Sequence, residues 1–264
     1  ASTSSSCARL DVELPALTWL GHSTVSLREP GLRLLTDPLL TDRVAHLRRQ
    51  RGRRLGPADN DAEVVLISHL HHDHCHLPSL RRLAPGTRVV LPRGGAGLLA
   101  GLPLDPVEMG PGDELSVGSV GIVAVHAFHD GRRHPGSRWV GPALGYVVHG
   151  SRRVWFAGDT GWTDRLGRDV GRVDVALLPV GGWGPLSRPS VQGQHLDPQQ
   201  AAQVAASLPA AVAVPIHFGT MWPAGLPAHR HRAFLGPGQE FRRALAQRAP
   251  DIAVHVLEPG QALD

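Results

Sequence analysis

Lysine is absent from this chain: all 27 basic residues are arginine. Schiff-base catalysis, which needs a lysine amine, is therefore excluded, as is any lysine-mediated binding of carboxylates. Cysteine is almost absent. Cys7 and Cys75 cannot build a disulfide framework, so a reducing, cytoplasmic setting is the default expectation. Long apolar runs are missing too. None approaches the roughly 20 residues that span a bilayer, so no membrane span is expected. The opening stretch Ala1-Ser2-Thr3-Ser4-Ser5-Ser6-Cys7 has no apolar core and does not read as a signal peptide. The chain begins with Ala and not Met, which leaves room for an upstream segment.

What is present is consistent with a globular α/β chain. At 264 residues and 42% hydrophobic content, it can bury one large core or two small ones. The 31 glycines and 23 prolines imply many turns and disfavour a helical bundle. The net charge of +4 is mild. The densest basic run is Arg48-Arg49-Gln50-Arg51-Gly52-Arg53-Arg54. It reads first as a solvated loop, and more sharply as a docking site for an anion or phosphate. Histidine stands out: the 16 present cluster, and imidazole is suited to transition metals and proton transfer.

Residues 1–10 are polar and small and read as disordered, with 11–264 as a single domain. Leu17–Leu20, Thr24–Leu27 and Leu32–Leu35 read as a three-stranded meander, followed by a long Arg-rich connection over 39–61. Glu63–Ile67 is a continuous apolar strand of the kind buried on both faces. Helical spacing at Leu77, Leu80 and Leu83 ends at Pro85-Gly86. Further strands are expected at 88–91, 113–117, 120–126, 173–178, 211–214 and 252–256, with a hairpin of 143–149 and 153–157 turning at Gly150. Helices are expected over 198–208, capped by Asp197 with Pro198 first, and over 239–248. Both halves run strands, helix, strand and then a ligand-rich turn. The expectation is an αββα sandwich of two mixed β-sheets flanked by helices.

The strongest chemical signal is Ser68-His69-Leu70-His71-His72-Asp73-His74, directly after the buried strand 63–67. Such a strand delivers its turn to one sheet edge with little freedom. Four ligand-type side chains then converge: His69 and His71 on one metal, Asp73 and His74 on a second. Mixed imidazole and carboxylate donors suit zinc, with manganese or iron as alternatives, and leave positions for water. The plain reading, a His-rich surface loop, requires neither the preceding strand nor partners downstream. Asp159, after strand 154–157, can bridge the metals, or it is a turn Asp beside Gly. His217, after strand 211–214, can serve the second metal, or it closes a strand end. His126, His129 and His134 lie at or beyond another strand end. His129 is chosen for the first metal, with His126 and His134 open as alternatives.

These residues resemble the metallo-β-lactamase superfamily, and within it the branch containing N-acyl-phosphatidylethanolamine-hydrolysing phospholipase D and L-ascorbate-6-phosphate lactonase. The resemblance is carried by Trp19-Leu20-Gly21-His22-Ser23, Leu35-Thr36-Asp37-Pro38, the HxHxDH turn at 69–74, Phe156–Gly161, Leu178–Gly182 and Pro215-Ile216-His217. It spans about residues 16–225. It implies that His129 completes the first site and that His195 faces the pocket. The turn departs from the branch at Cys75-His76, where an apolar residue and Asp are usual. Cys75 reads as a small buried residue. His22, His195 and Asp37 are candidates for holding the ligands from behind, and Gly181-Gly182-Trp183-Gly184-Pro185 reads as a pocket-lining loop.

The expected activity is binuclear hydrolysis of a phosphodiester or phosphate-bearing small molecule by a metal-bridging hydroxide. The metal ligands would be His69, His71, Asp73, His74, His129, Asp159 and His217, with Asp73 and His195 as catalytic residues. The alternatives are a lactonase, acyl-ester or thioester hydrolase with the same site, a nuclease, and a non-catalytic metal-binding protein. Nucleic acid is the less expected partner, and the sequence does not set the oligomeric state.

Overall fold

The structure is a computed structural model and describes residues 16–168, 170–181, 193–228 and 232–263. The first sheet is built from β1 (Ala16–Gly21), β2 (Thr24–Glu29), β3 (Leu32–Thr36), β6 (Val64–Leu66), β7 (Arg88–Pro92), β8 (Asp105–Met109) and β17 (Gln261–Leu263), in the order β17-β1-β2-β3-β6-β7-β8. The second contains β9 (Glu114–Val117), β10 (Val120–His126), β11 (Leu144–His149), β12 (Arg153–Phe156), β13 (Val173–Pro179), β14 (Ala210–Ile216) and β16 (Ala253–Val254), in the order β16-β14-β13-β12-β11-β10-β9. Each sheet has three antiparallel pairings followed by three parallel ones. This shared pattern is the internal duplication that the two halves of the sequence suggested.

Period-2 alternation sorts the apolar side chains. Leu34, Val64, Leu66 and Val90 join the large core between the sheets. Their neighbours Leu35, Val65, Val89 and Leu91 face the other way, into a second core with Leu80 and Leu83. The strands 32–36, 64–66 and 88–92 are thus covered on both faces, which is why 64–66 lies in an unbroken apolar run. On the outside of the second sheet lie α2 (Pro198–Ser207) and α4 (Pro237–Arg248), packed on each other and on β14. Asp197 caps α2: its Oδ1 accepts from Gln200 N at 2.8 Å, and Pro198 takes the first turn.

Several boundaries differ from the sequence reading. The connection 39–61 contains two short strands, β4 (Arg43–Val44) and β5 (Leu47–Arg49), which pair with β15 (Met221–Pro223) in a small third sheet. Their partner lies far along the chain, and strands this short carry no periodicity. Helix α1 is only Leu77–Leu80, since the segment is spent reaching β7. A further short helix, α3, covers Arg232–Leu235. Strand 252–256 shrinks to β16. The basic run is not a free patch: Arg49 donates to Leu20 O and Leu39 O, while Arg51, Arg53 and Arg54 pair with Glu258, Asp59 and Asp42. The expected disordered segment 1–10 and residues 182–185 of the expected pocket loop lie outside the described residues.

The topology sends one set of strand ends to a single edge. β1, β3 and β6 run in one direction, as do β10, β12, β13 and β14. The two sheets are tied next to the 68–74 turn by Leu144 N to Ser68 O at 2.8 Å and by the buried Tyr146 Oη, which donates to Ile67 O at 2.8 Å. Replacing Tyr146 by Phe leaves the Ile67 carbonyl unpaired in the core. The expected loss is about 1–3 kcal/mol, read from urea unfolding of the metal-free protein.

Candidate metal centre

Of the strands that share that direction, all but β13 hand a polar residue to the common edge. His22 follows β1, Asp37 follows β3, the 69–74 turn follows β6, His129 follows β10, Asp159 follows β12 and His217 follows β14. The backbone there is locally unusual. His22, Asp37 and His217 adopt positive φ, at 54°, 33° and 59°, a region that non-glycine residues occupy sparingly. Gly158, just before Asp159, has φ +63°, and a Cβ there would lie 2.7 Å from Leu144 O. Only glycine fits at that point.

Asp37 is fully buried and organises the turn. Its Oδ1 accepts from Ser68 N at 2.7 Å, and its Oδ2 accepts from Ser68 Oγ at 2.5 Å and from His74 Nδ1 at 2.7 Å. The carboxylate has only acceptors, so the Ser68 hydroxyl proton is committed to it. Ser68 Oγ then accepts from His69 Nδ1 at 3.0 Å. His129 Nδ1 donates to Gln194 O at 2.8 Å. In all three histidines the outer nitrogen carries a proton, which leaves Nε2 facing inward as the atom that a cation would meet.

Four overlapping groups of donors result among the described residues, including His129 with Asp159 and His195, and Asp37 with His69 and His74. His69, His71 and His129 form a third, with all three donor atoms within 4.8 Å of one another. His71 Nδ1 lies 2.8 Å from His69 Nε2 and 3.2 Å from His129 Nε2. One proton cannot satisfy both lone pairs, whereas a cation can. The fourth joins His22, Asp73, His74 and His217. Asp159 Oδ2 lies between the sides, 3.2 Å from His74 Nε2, 3.3 Å from His217 Nε2 and 3.5 Å from His195 Nδ1. His74 Nε2, His217 Nε2, His195 Nδ1 and Asp159 Oδ1 are buried without a hydrogen-bond partner among the described residues. Buried polar atoms are rarely left so, and the His74 and His217 nitrogens gathered about the Asp159 carboxylate fit a divalent cation.

Protonation favours the same use. Burial, and then the neighbouring imidazoles, hold His69 and His217 well below the usual histidine range and His71 at about 4. Metal ligation requires such neutral rings. His74 differs: burial alone would lower it, but Asp159, Asp73 and Asp37 outweigh it and raise the ring, so in the metal-free protein it holds a second proton that a cation would have to displace. Burial alone would raise Asp159 and Asp73, but the surrounding histidines hold both well below the carboxylate range.

All seven residues chosen as ligands from the sequence stand in these groups. Of the three alternatives after β10, His129 is the one that joins a donor group among the described residues. His126 is exposed and edge-on to Phe128, and His134 stacks on His72. His195 packs against His129 at 4.7 Å between ring centroids. Cys75 is buried, its thiol pushed up to about 11 by burial, which makes it inert. One feature was read differently in the sequence and one went unread. His22, expected to hold ligands from behind, shares the donor cluster itself. Arg133 is buried and donates to Leu70 O and Cys75 O at 3.0 Å each, bracing the ligand turn, and no local pattern marks it.

Two outcomes follow for the protein. Asp37→Asn removes an acceptor from the Ser68, His69 and His74 network, and metal affinity measured by chelator competition should fall roughly 10–100-fold. The second concerns the metal-free protein. His71, and His76 outside the donor set, are held near 4 by burial, against about 6.5 in an unfolded chain. Between those values the unfolded chain binds more protons, so stability falls as pH falls through this window. His74 acts in the opposite sense but is outnumbered. The melting temperature should therefore drop from pH 7 to pH 5, and His76→Gln should make that drop shallower.

The chain matches the family model described as the beta-lactamase superfamily domain over residues 32–218. An uncharacterized protein of Mycobacterium tuberculosis strain H37Rv is 31% identical, over 97% of this chain and 70% of its own length. The N-acyl-phosphatidylethanolamine-hydrolyzing phospholipase D 1 of Caenorhabditis elegans is 28% identical, over 88% of this chain and 70% of its own. Among solved structures, Igni18, a metallo hydrolase from Ignicoccus hospitalis, superimposes with a TM-score of 0.70 at 22% identity, covering 94% of this chain and 97% of that one. That likeness is one of fold. With the family model spanning most of its length, the chain belongs to the beta-lactamase superfamily.

Proposed function

We propose that this metal-dependent hydrolase works through two divalent cations, most simply zinc, on a phosphodiester or another phosphate-bearing small molecule. The observation that carries the reading is the convergence of inward-facing, unpaired donors at one sheet edge. In it, His69, His71 and His129 would hold one cation and Asp73, His74 and His217 the other, with Asp159 placed to serve both. When bound, such a pair lowers the pKa of water and withdraws charge from the scissile group's oxygens. The chain's own residues keep seven donors in register, exclude bulk water from the buried side, and handle the leaving-group proton.

For that proton the candidate is His195. It sits beside His129 and 3.5 Å from Asp159 Oδ2. Burial holds its pKa below the ordinary value, partly offset by Asp159, so a negative charge arriving with substrate favours its protonation. A groove of about 510 Å³ reaches the neighbouring His129, lined also by His126, Phe128, Gly141 and Gln194, a size suited to a small molecule. The phosphodiester preference rests on the similarity to a phospholipase D. The burial of Arg49 and the pairing of Arg51, Arg53 and Arg54 with carboxylates offset much of the positive charge of the basic run, which weakens the case for a nuclease.

His69→Ala with His71→Ala should abolish bound metal and turnover of bis-p-nitrophenyl phosphate together, measured by elemental analysis and absorbance. Full activity in that variant would defeat the reading. His195→Ala should keep its metal but lose roughly 10²–10⁴ in kcat, with the smaller loss on substrates whose leaving group needs no proton.

A further inference from the structure

Resting on the two-cation reading, we infer that His22 is an additional protein donor to the second cation. Its addition closes that position with protein atoms and leaves the one at His69, His71 and His129 as the open position where water and substrate meet metal.

The orientation of the ring carries the argument. The groups that hold ligands from behind all contact outward nitrogens: Asp37 at His74 Nδ1, Ser68 at His69 Nδ1, the Gln194 carbonyl at His129 Nδ1. His22 does the reverse. Its Nε2 lies 3.0 Å from Asp73 Oδ2, the oxygen that is 3.6 Å from the inward His74 Nε2. It shares a 4.8 Å cluster with the donor atoms of Asp73, His74 and His217. Two donors on one zinc, each at about 2.0–2.2 Å, stand roughly 2.9–3.6 Å apart. The edges here run 3.0 Å from His22 to Asp73, 3.6 Å from Asp73 to His74, 3.2 Å from His74 to Asp159 and 3.3 Å from Asp159 to His217.

The backbone is built to hold the ring there. His22 sits at φ +54°, and its carbonyl accepts from both Trp19 Nε1 and His217 N at 2.9 Å. Its amide donates to Thr220 Oγ1 at 3.0 Å. Gly21, at φ +110°, lies so close to Thr220 that a Cβ would stand 2.6 Å from it. The ring itself is 4.2 Å from His217 between centroids. His22 and His217 are thereby locked to each other by backbone as well as side chain. With His22 and Asp159 counted, the second position has five protein donors, whereas the first has three histidines and Asp159. Metal positions filled by protein serve structure, and those with a free place serve catalysis.

The test is metal binding, independent of substrate. Wild type, His22→Ala and His22→Gln are compared by elemental analysis, by Zn2+ competition against a chromophoric chelator, and by visible absorption of the Co2+ forms. Gln retains an N–H that can reach Asp73 but offers no imidazole nitrogen. If His22 is a donor, both variants weaken the second cation at least about 10-fold, spare the first, and alter the absorption of the second Co2+. Far-UV circular dichroism of the metal-free proteins monitors folding; should the Ala variant not fold, the Gln variant decides. Wild-type affinity and spectrum in His22→Gln overturn the inference alone, because His22 then only hydrogen-bonds Asp73. Uptake of a single cation by wild type overturns the two-cation reading and this inference with it.

Discussion

The arrangement depends on one buried carboxylate. Asp37 has no solvent exposure, yet it accepts from the Ser68 amide, the Ser68 hydroxyl and the His74 ring. Those bonds compensate the cost of burying it. They also settle which nitrogen of His74, and through Ser68 which nitrogen of His69, faces the centre. A carboxylate at the end of β3 therefore sets the chemistry of a turn at the end of β6. The parallel pairing of these strands, with Thr36 opposite Leu66, brings the two ends side by side.

The cost of such a site is high. Imidazoles pack ring to ring, among them His69 on His74 at 4.1 Å and His74 on His217 at 5.3 Å between centroids. Two carboxylates are buried or half-buried among them, and several polar atoms have no partner. Three non-glycine residues of the site, His22, Asp37 and His217, hold left-handed backbone. A sandwich with apolar cores on both faces of its first sheet is rigid enough to sustain this. Bound cations would answer most of the electrostatic debt, which ties folding, metal uptake and function to the same atoms.

The match to the superfamily adds context to this physical reading. The two sheets repeat one pattern of strand pairing, so the end of β3 in the first corresponds to the end of β12 in the second. Asp37 and Asp159 occupy those equivalent ends. The first lies behind the histidines and orients them, while the second lies among them. Duplicated topology thus supplied two acidic positions, and their depth relative to the ring nitrogens separates their roles.

Much of this could be read locally. The unbroken apolar run within 63–67 identified a strand covered on both faces, because such a run is written in neighbouring residues. Asp197-Pro198 marked the start of a helix for the same reason. The recurrent sequence of strand followed by His or Asp pointed to 69–74, 159 and 217, since a buried strand constrains the turn after it. Other features could not be read. The short strands at 43–44 and 47–49 form only because 221–223 lies against them. The choice among His126, His129 and His134 depended on how β10 meets the other sheet. Arg133 and His22 gain their places from residues about 50 to 200 positions away. The sequence by itself determined which side chains could bind cations and which strand ends carry them, because both are properties of adjacent residues. Only the tertiary structure decided which donors share a point and which nitrogens face it, because those follow from the packing of two sheets whose strands are distant along the chain.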